Sequence, residues 1–341
     1  MDFVSGQDLA ESFYHGAVRP LLDEHFPGLP HSAALLGTGS EVLGFDTERS
    51  RDHDWGPRMQ VFPAGRHAEV EAMLVERLPA TWLGYPTVFV RSISPDDPPR
   101  HHVEVADLPA WLRGWLGFDP CDGVSTHDWL ATPTQRLAEV TGGRVFHDGL
   151  GRLEPARRAL AWYPDDVWRH VLACQWRRIA QEEAFPGRCH EVGDDLGSAV
   201  VTARLARDVM RLALLMRRRY PPYSKWLGTA FARLELTDLA RHLTGALSTS
   251  DWPAREDHLV AAYGAVAEMH NGLGLTEPVD PDVRLFHDRP FRVLDADRFV
   301  RALRTDASLP LTGAVDQFVD STDALSSMDF TRRLTQLTQP G

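Results

Sequence analysis

The stretch that decides the fold is Leu36-Gly-Thr-Gly-Ser-Glu-Val-Leu-Gly-Phe-Asp46, followed by Ser50-Arg-Asp-His-Asp-Trp-Gly-Pro-Arg58. It leaves a short apolar run, Ser32-Ala-Ala-Leu-Leu-Gly37, which reads as a buried strand. A glycine in the turn after a strand lets the backbone approach a bound group closely. Successive backbone N–H groups and a serine hydroxyl can then hold phosphate oxygens, which makes Gly39 and Ser40 candidate phosphate contacts. Asp52 and Asp54 stand two residues apart, and in an extended segment both carboxylates point to the same side. Carboxylates so close repel each other unless a divalent cation lies between them. An oxygen-only donor set selects a hard ion, Mg2+ first.

Further strands are expected at Arg58-Met-Gln-Val-Phe62, Thr87-Val-Phe-Val-Arg91 and His102-Val-Glu-Val105. Glu104 sits between two valines, a position that solubility does not explain. It can complete a metal site or act as general base on an attacking hydroxyl. Two Mg2+ ions sharing the three carboxylates would stabilise the attacking and leaving oxygens of a phosphoryl-type displacement. Helices expected over Asp8–Leu22 and His67–Leu78 alternate with these strands, which indicates an α/β or α+β domain.

Past residue 150 the pattern turns helical. Pro164-Asp-Asp166 opens a helix through Trp168, Val171, Leu172, Gln175 and Ile179. Another runs from about Gly197 to Arg219, where three arginines and then Pro221-Pro222 end it. More are expected near 228–247, 253–271 and 296–305. The organisation expected is an α/β domain over about 1–150, including the ambiguous 126–150, and an all-α helical bundle over about 151–341.

Composition bounds the partners. Of 341 residues, 43% are hydrophobic and 25% charged, so the chain is globular. With 36 Lys and Arg against 48 Asp and Glu the formal charge is 36 − 48 = −12, which disfavours a nucleic-acid coat. Cys121, Cys174 and Cys189 are odd in number and widely spaced, which argues against a disulfide framework. The N-terminus lacks a signal-peptide pattern. No apolar run approaches the roughly 20 residues of a membrane span. A cytoplasmic chain without a membrane partner is expected.

Gly39-Ser40, Asp52-x-Asp54 and a later Val103-Glu104-Val105 together resemble the nucleotidyltransferase superfamily of DNA polymerase β type. The chain is closer still to an uncharacterised bacterial nucleotidyltransferase-like family, a domain of unknown function. Besides the opening stretch, that likeness rests on Gln181-Glu-Glu-Ala-Phe185, Tyr223-Ser-Lys-Trp-Leu-Gly-Thr-Ala-Phe231, His270-Asn-Gly-Leu-Gly-Leu-Thr-Glu277, Phe286-His-Asp-Arg-Pro-Phe291 and Val315-Asp-Gln-Phe-Val-Asp-Ser-Thr-Asp323. It implies a mixed sheet backed by helices, with carboxylates holding Mg2+ and an NTP. Many members of the superfamily place an apolar residue between the paired acids, whereas this chain has His53, which either takes the opposite strand face and leaves the metal site intact or serves as a local ligand or base.

Other residues are candidates at the same site. Arg58 is grouped with the nucleotide contacts. Lys225 follows a helix end, where the resemblance to aminoglycoside-type enzymes implies a phosphate clamp, with Tyr223 as a base or substrate contact. Glu182 and Glu183 end a helix, where a carboxylate opposes the dipole, and either can be a base on a substrate hydroxyl. Arg204 and Asp208, spaced i and i+4, are expected to pair with each other. His101, His102, His190 and His287 lack zinc spacing and read as structural or substrate-lining. The function expected is transfer of an NMP, AMP foremost, from Mg-NTP to a small-molecule hydroxyl, with release of pyrophosphate. The alternatives are a protein or tRNA acceptor, or a nucleotide sensor without catalysis.

Overall fold

The computed structural model describes residues 3–52, 55–90, 96, 98–304 and 309–338, without the side chain of Asp52. The chain divides into two compact units: residues 1–128 with 136–161, and residues 129–135 with 162–341.

In the first unit, helices α1 (Gly6–Phe13) and α2 (Arg19–His25) are joined by a π-helical turn over Tyr14–Val18. Pro20 has no N–H to give to the carbonyl four residues back. The helical run expected over Asp8–Leu22 therefore passes Pro20 through one wider turn instead of breaking. Next come β1 (His31–Leu35), β2 (Arg58–Pro63), α3 (His67–Arg77), the short pair β3 (Thr81–Trp82) and β4 (Tyr85–Pro86), β5 (Val88–Phe89), β6 (Arg100–Val105) and α4 (Leu108–Leu116). Helices α5 (Thr126–Ala131) and α6 (Thr134–Thr141), strand β7 (Arg144–Asp148) and α7 (Leu153–Ala159) follow.

The sheet runs β5-β6-β2-β1-β7 and is mixed. β1 is antiparallel to β2 and β7, while β2 and β6 are parallel, a pairing that needs the α3 crossover. Register places Arg58 beside His102 and Gln60 beside Glu104. Alternation then sorts the side chains. Ala33, Met59, Val61 and Val103 pack in one buried cluster with Phe13, Tyr14, Val18, Val70 and Leu74. Arg58, Gln60 and Glu104 take the opposite face. The strand expected over Thr87–Arg91 is reduced to Val88–Phe89, with Arg91 outside the described residues. β7, in the ambiguous segment, is a true sheet strand; its five residues are all half-buried, so no apolar run marked it.

The second unit is helical: α8 (Asp165–Glu182), α9 (Phe185–Glu191), α10 (Asp195–Met216), α11 (Ser224–Ala232), α12 (Thr237–Ser248) and α13 (Trp252–Asn271). A two-strand ribbon, β8 (Arg284–Leu285) and β9 (Arg292–Val293), precedes α14 (Asp297–Leu303), α15 (Val315–Phe318), α16 (Thr322–Ser326) and α17 (Met328–Thr338). α8 packs on α10 and α14, and α12 on α13. Leu172, Trp176, Leu205, Val209, Leu212 and Val266 are buried between them. The single helix expected over 228–247 is two, because Glu235 adopts φ +55° and ends the first. Among the described residues no helix is long and apolar enough to cross a membrane.

Candidate functional site

The bend after β1 is held from several sides. The Leu36 N–H donates to Gln60 Oε1 at 2.9 Å, and the Gly37 N–H to the Glu139 carbonyl at 3.0 Å. The Phe45 N–H then closes on the Ser40 carbonyl at 2.7 Å. Gly39 has φ +133°, and a Cβ there would strike the Arg58 guanidinium and the Glu41 carboxylate. Only glycine fits both the dihedral and the space. Ser40 is half-buried beside it.

Beneath the bend lies a buried ion pair. The Arg58 Nε and Nη2 both reach Glu41 Oε1 at 2.6 Å, and Nη2 also meets the Thr38 carbonyl. The side chains are 10% and 5% exposed. The charge of Arg58 is thus committed to Glu41. Glu41 is a residue the sequence reading missed. The Gln7 amide holds its carbonyl at 2.8 Å, and Asp46 ties the same loop to α1 by accepting from the Gly6 N–H at 2.7 Å.

Gln60 connects the bend to Glu104. Its Oε1 takes the Leu36 N–H, and its Nε2 donates to Glu104 Oε2 at 3.2 Å. The Trp111 indole N–H reaches the same oxygen at 3.3 Å. Trp111 stacks on Trp115 with centroids 5.2 Å apart and planes 3° from parallel, and Trp115 stands against Gly37. Glu104 is exposed, and its described hydrogen-bond partners are the neutral donors of Gln60 and Trp111. Gln60 carried a readable signal: it is polar between Met59 and Val61, just as Glu104 is between two valines.

The paired acids fall at the edge of what is described. Asp52 closes a 3-10 turn over Glu48–Asp52, with the Thr47 N–H donating to Ser50 Oγ at 3.0 Å and Arg51 pairing with Glu48 at 2.6 Å. The chain is therefore not extended as it enters Asp52. His53, Asp54 and the Asp52 side chain lie outside the described residues. Among the described residues no group of three or more His, Cys, Asp or Glu could hold a metal.

In the second unit Tyr223 precedes α11, its N–H donating to Gln135 Oε1 at 3.1 Å. Lys225 is exposed, with Nζ 5.1 Å from the centroid of the Trp226 ring. Glu182 accepts from Arg204 Nε at 2.9 Å, which corrects the expected Arg204–Asp208 pair. Asp208 instead faces Arg178 at 3.3 Å and Arg207 at 3.4 Å. The cause is tertiary: α8 packs on α10 and brings its own side chains to both residues. Glu183 is buried, and its carboxylate accepts from the N–H groups of Leu294, Asp295 and Ala296 at 2.7, 3.1 and 2.9 Å. Burial pushes this carboxyl up to about 7, against the pull of those three donors.

The family model for a domain of unknown function, DUF4037, matches residues 129–227, from the end of α5 to the start of α11. That span contains Gln181–Phe185 and the first residues of the Tyr223–Phe231 stretch. No curated protein and no solved structure matches the chain.

Proposed function

We propose that this chain is a nucleotidyltransferase that moves an NMP, AMP foremost, from an NTP to the hydroxyl of a small acceptor. The observation that carries the reading is the relay from the glycine-serine bend through Gln60 to Glu104. A tight turn whose backbone can approach a phosphate closely and, among the described residues, a carboxylate with no cation paired to it are what a triphosphate and its attacking hydroxyl need at one place. Glu41, by contrast, is spent on Arg58.

The described part of the donor set fits a hard cation. Glu104 is exposed, uses Oε2 for both of its neutral donors, and leaves Oε1 for a ligand. Asp52 and Asp54 would hold Mg2+ with it, one ion or two, and bound Mg2+ would offset charge on the phosphates. The acceptor oxygen attacks the α-phosphorus, the α–β phosphoanhydride bond breaks, and pyrophosphate leaves with the bonding pair. Glu104 takes the proton of the attacking hydroxyl. Gly39 and Ser40 hold phosphate oxygens, and His53 is an additional ligand or base. The carboxylates of Glu182 and Glu183 are engaged within the second unit, so Glu104 is the base we favour.

Isothermal titration with ATP, with and without Mg2+, tests the proposal on wild type, Asp52→Ala and Asp54→Ala. Binding that requires Mg2+ and falls at least tenfold in both variants is expected, about 1.4 kcal/mol or more. Equal binding in every arm refutes it. Labelled NTPs incubated with cell extract, then split into small-molecule, RNA and protein fractions, identify the acceptor class.

A further inference from the structure

We propose that the second unit carries an anion site of its own for a short chain of phosphoryl groups. Arg178, Arg207 and Arg211 build it, and the carboxylates of Asp316 and Asp320 occupy it in this conformation. Arg207 and Arg211 lie one turn apart on α10, and α8 brings Arg178 to the same place. Arg178 Nε and Arg207 Nε stand 3.3 and 3.4 Å from the two oxygens of Asp208, which is 1% exposed. The segment through α15 lies along this row. Arg211 Nη2 donates to Asp316 Oδ2 at 2.9 Å, Arg207 Nη1 to Asp320 Oδ2 at 3.5 Å, and Arg178 Nη1 to the Gln317 carbonyl at 2.5 Å.

The pairing between this segment, which straps the arginine row, and the row itself is incomplete. Both Asp208 oxygens, Arg207 Nε and Asp316 Oδ1 are buried without a hydrogen-bond partner. Each guanidinium has five donors, yet among the described residues each of the three makes one hydrogen bond. Aspartate oxygens are too few and too short in reach for such a row. A phosphoryl group offers three acceptors at the geometry a guanidinium prefers. Charge agrees. With the two strap carboxylates withdrawn, three arginines face Asp208 alone, 3 − 1 = +2. Gln317 anchors the strap independently, its Nε2 donating to the Val171 carbonyl at 3.0 Å and to Gln175 Oε1 at 3.1 Å. Asp316 Oδ2 also accepts from the Thr134 N–H at 3.2 Å and from the Thr134 hydroxyl, bonds that the ligand replaces while Gln317 keeps the segment in place. The three arginines lie within the residues matched by the family model, and the strap lies beyond them.

The test is titration with inorganic tripolyphosphate in EDTA, where the metal-dependent binding proposed above is silent. Wild type is expected to bind. Asp316→Asn with Asp320→Asn is expected to bind at least tenfold tighter, and Arg207→Gln with Arg211→Gln at least tenfold weaker, shifts of about 1.4 kcal/mol. ATP within about threefold of tripolyphosphate assigns recognition to the phosphates alone; a much tighter ATP makes a nucleotide the source of the chain. Equal affinity across the three proteins, or none at millimolar ligand, overturns the proposal. Should either double variant fail to fold, the single variants Asp320→Asn and Arg207→Gln, both at more exposed positions, replace them. Tighter and weaker binding are then expected in turn, and equal affinity overturns the proposal.

Discussion

Gly39 and Gly28 both have positive φ, +133° and +78°, but a Cβ at Gly28 meets nothing within 4 Å while one at Gly39 meets Arg58 and Glu41. Gly28→Ala should cost only the left-handed penalty, about 1 kcal/mol. Gly39→Ala should cost at least twice that, about 2–4 kcal/mol, because the ion pair must also move. Urea unfolding of the two variants checks the difference, and equal losses would mean that the bend is not tightly held. Arg58→Met strands the buried Glu41 and should cost about 3–5 kcal/mol, whereas Arg58→Met with Glu41→Leu should recover much of it. The Gly39-Ser40 bend and Glu104 were legible because glycine after a strand and an acid between valines are local signals. Glu41 was not, since its partner is seventeen residues away and spacing does not name it.

At the scale of elements, two buried groups in the helical unit titrate with opposite signs. His270, at the end of α13, accepts from the Trp176 indole at Nδ1, 3.2 Å, and lies 3.2 Å from Thr276 Oγ1 through Nε2. Burial lowers it to about 4 from 6.5, so its contribution is complete above pH 6.5 and is lost as pH falls toward 4. Glu183 is raised to about 7 from 4.5, so its contribution is complete below pH 4.5 and is lost as pH rises through 7. Unfolding free energies should therefore separate by variant. His270→Gln should flatten the acid limb between pH 4 and 6.5, and Glu183→Gln the rise in stability from pH 7 down to 4.5. A variant with the wild-type profile contradicts the assignment. Glu183→Ala, which strips three backbone N–H groups before α14, should cost about 3 kcal/mol at neutral pH. The helices themselves were readable from apolar spacing. The split at Glu235, the π turn at Pro20 and the edge of β5 were not, because each depends on one residue's backbone or on a neighbour in space. Arg204 shows the same limit: i, i+4 spacing nominated Asp208, and packing of α8 supplied Glu182 instead.

For the whole molecule, the first unit carries the bend, Gln60 and Glu104, and the second carries Lys225, Tyr223 and the arginine row. The change from interleaved strands to helices along the chain was plain in the sequence. That residues 129–135 belong with the helical unit was not, because Thr134 joins it through the long-range bond from its N–H to Asp316 at 3.2 Å. The central claim is that a triphosphate and a divalent ion meet at the glycine-serine bend beside Glu104. A crystal structure of the protein with Mg2+ and a non-hydrolysable ATP analogue tests it most directly. The account predicts phosphate oxygens on the N–H groups around Gly39 and Ser40, and a Glu104 oxygen about 2.1 Å from a Mg2+ that also touches Asp52 or Asp54. A nucleotide bound elsewhere, with Glu104 keeping only Gln60 and Trp111, would contradict it.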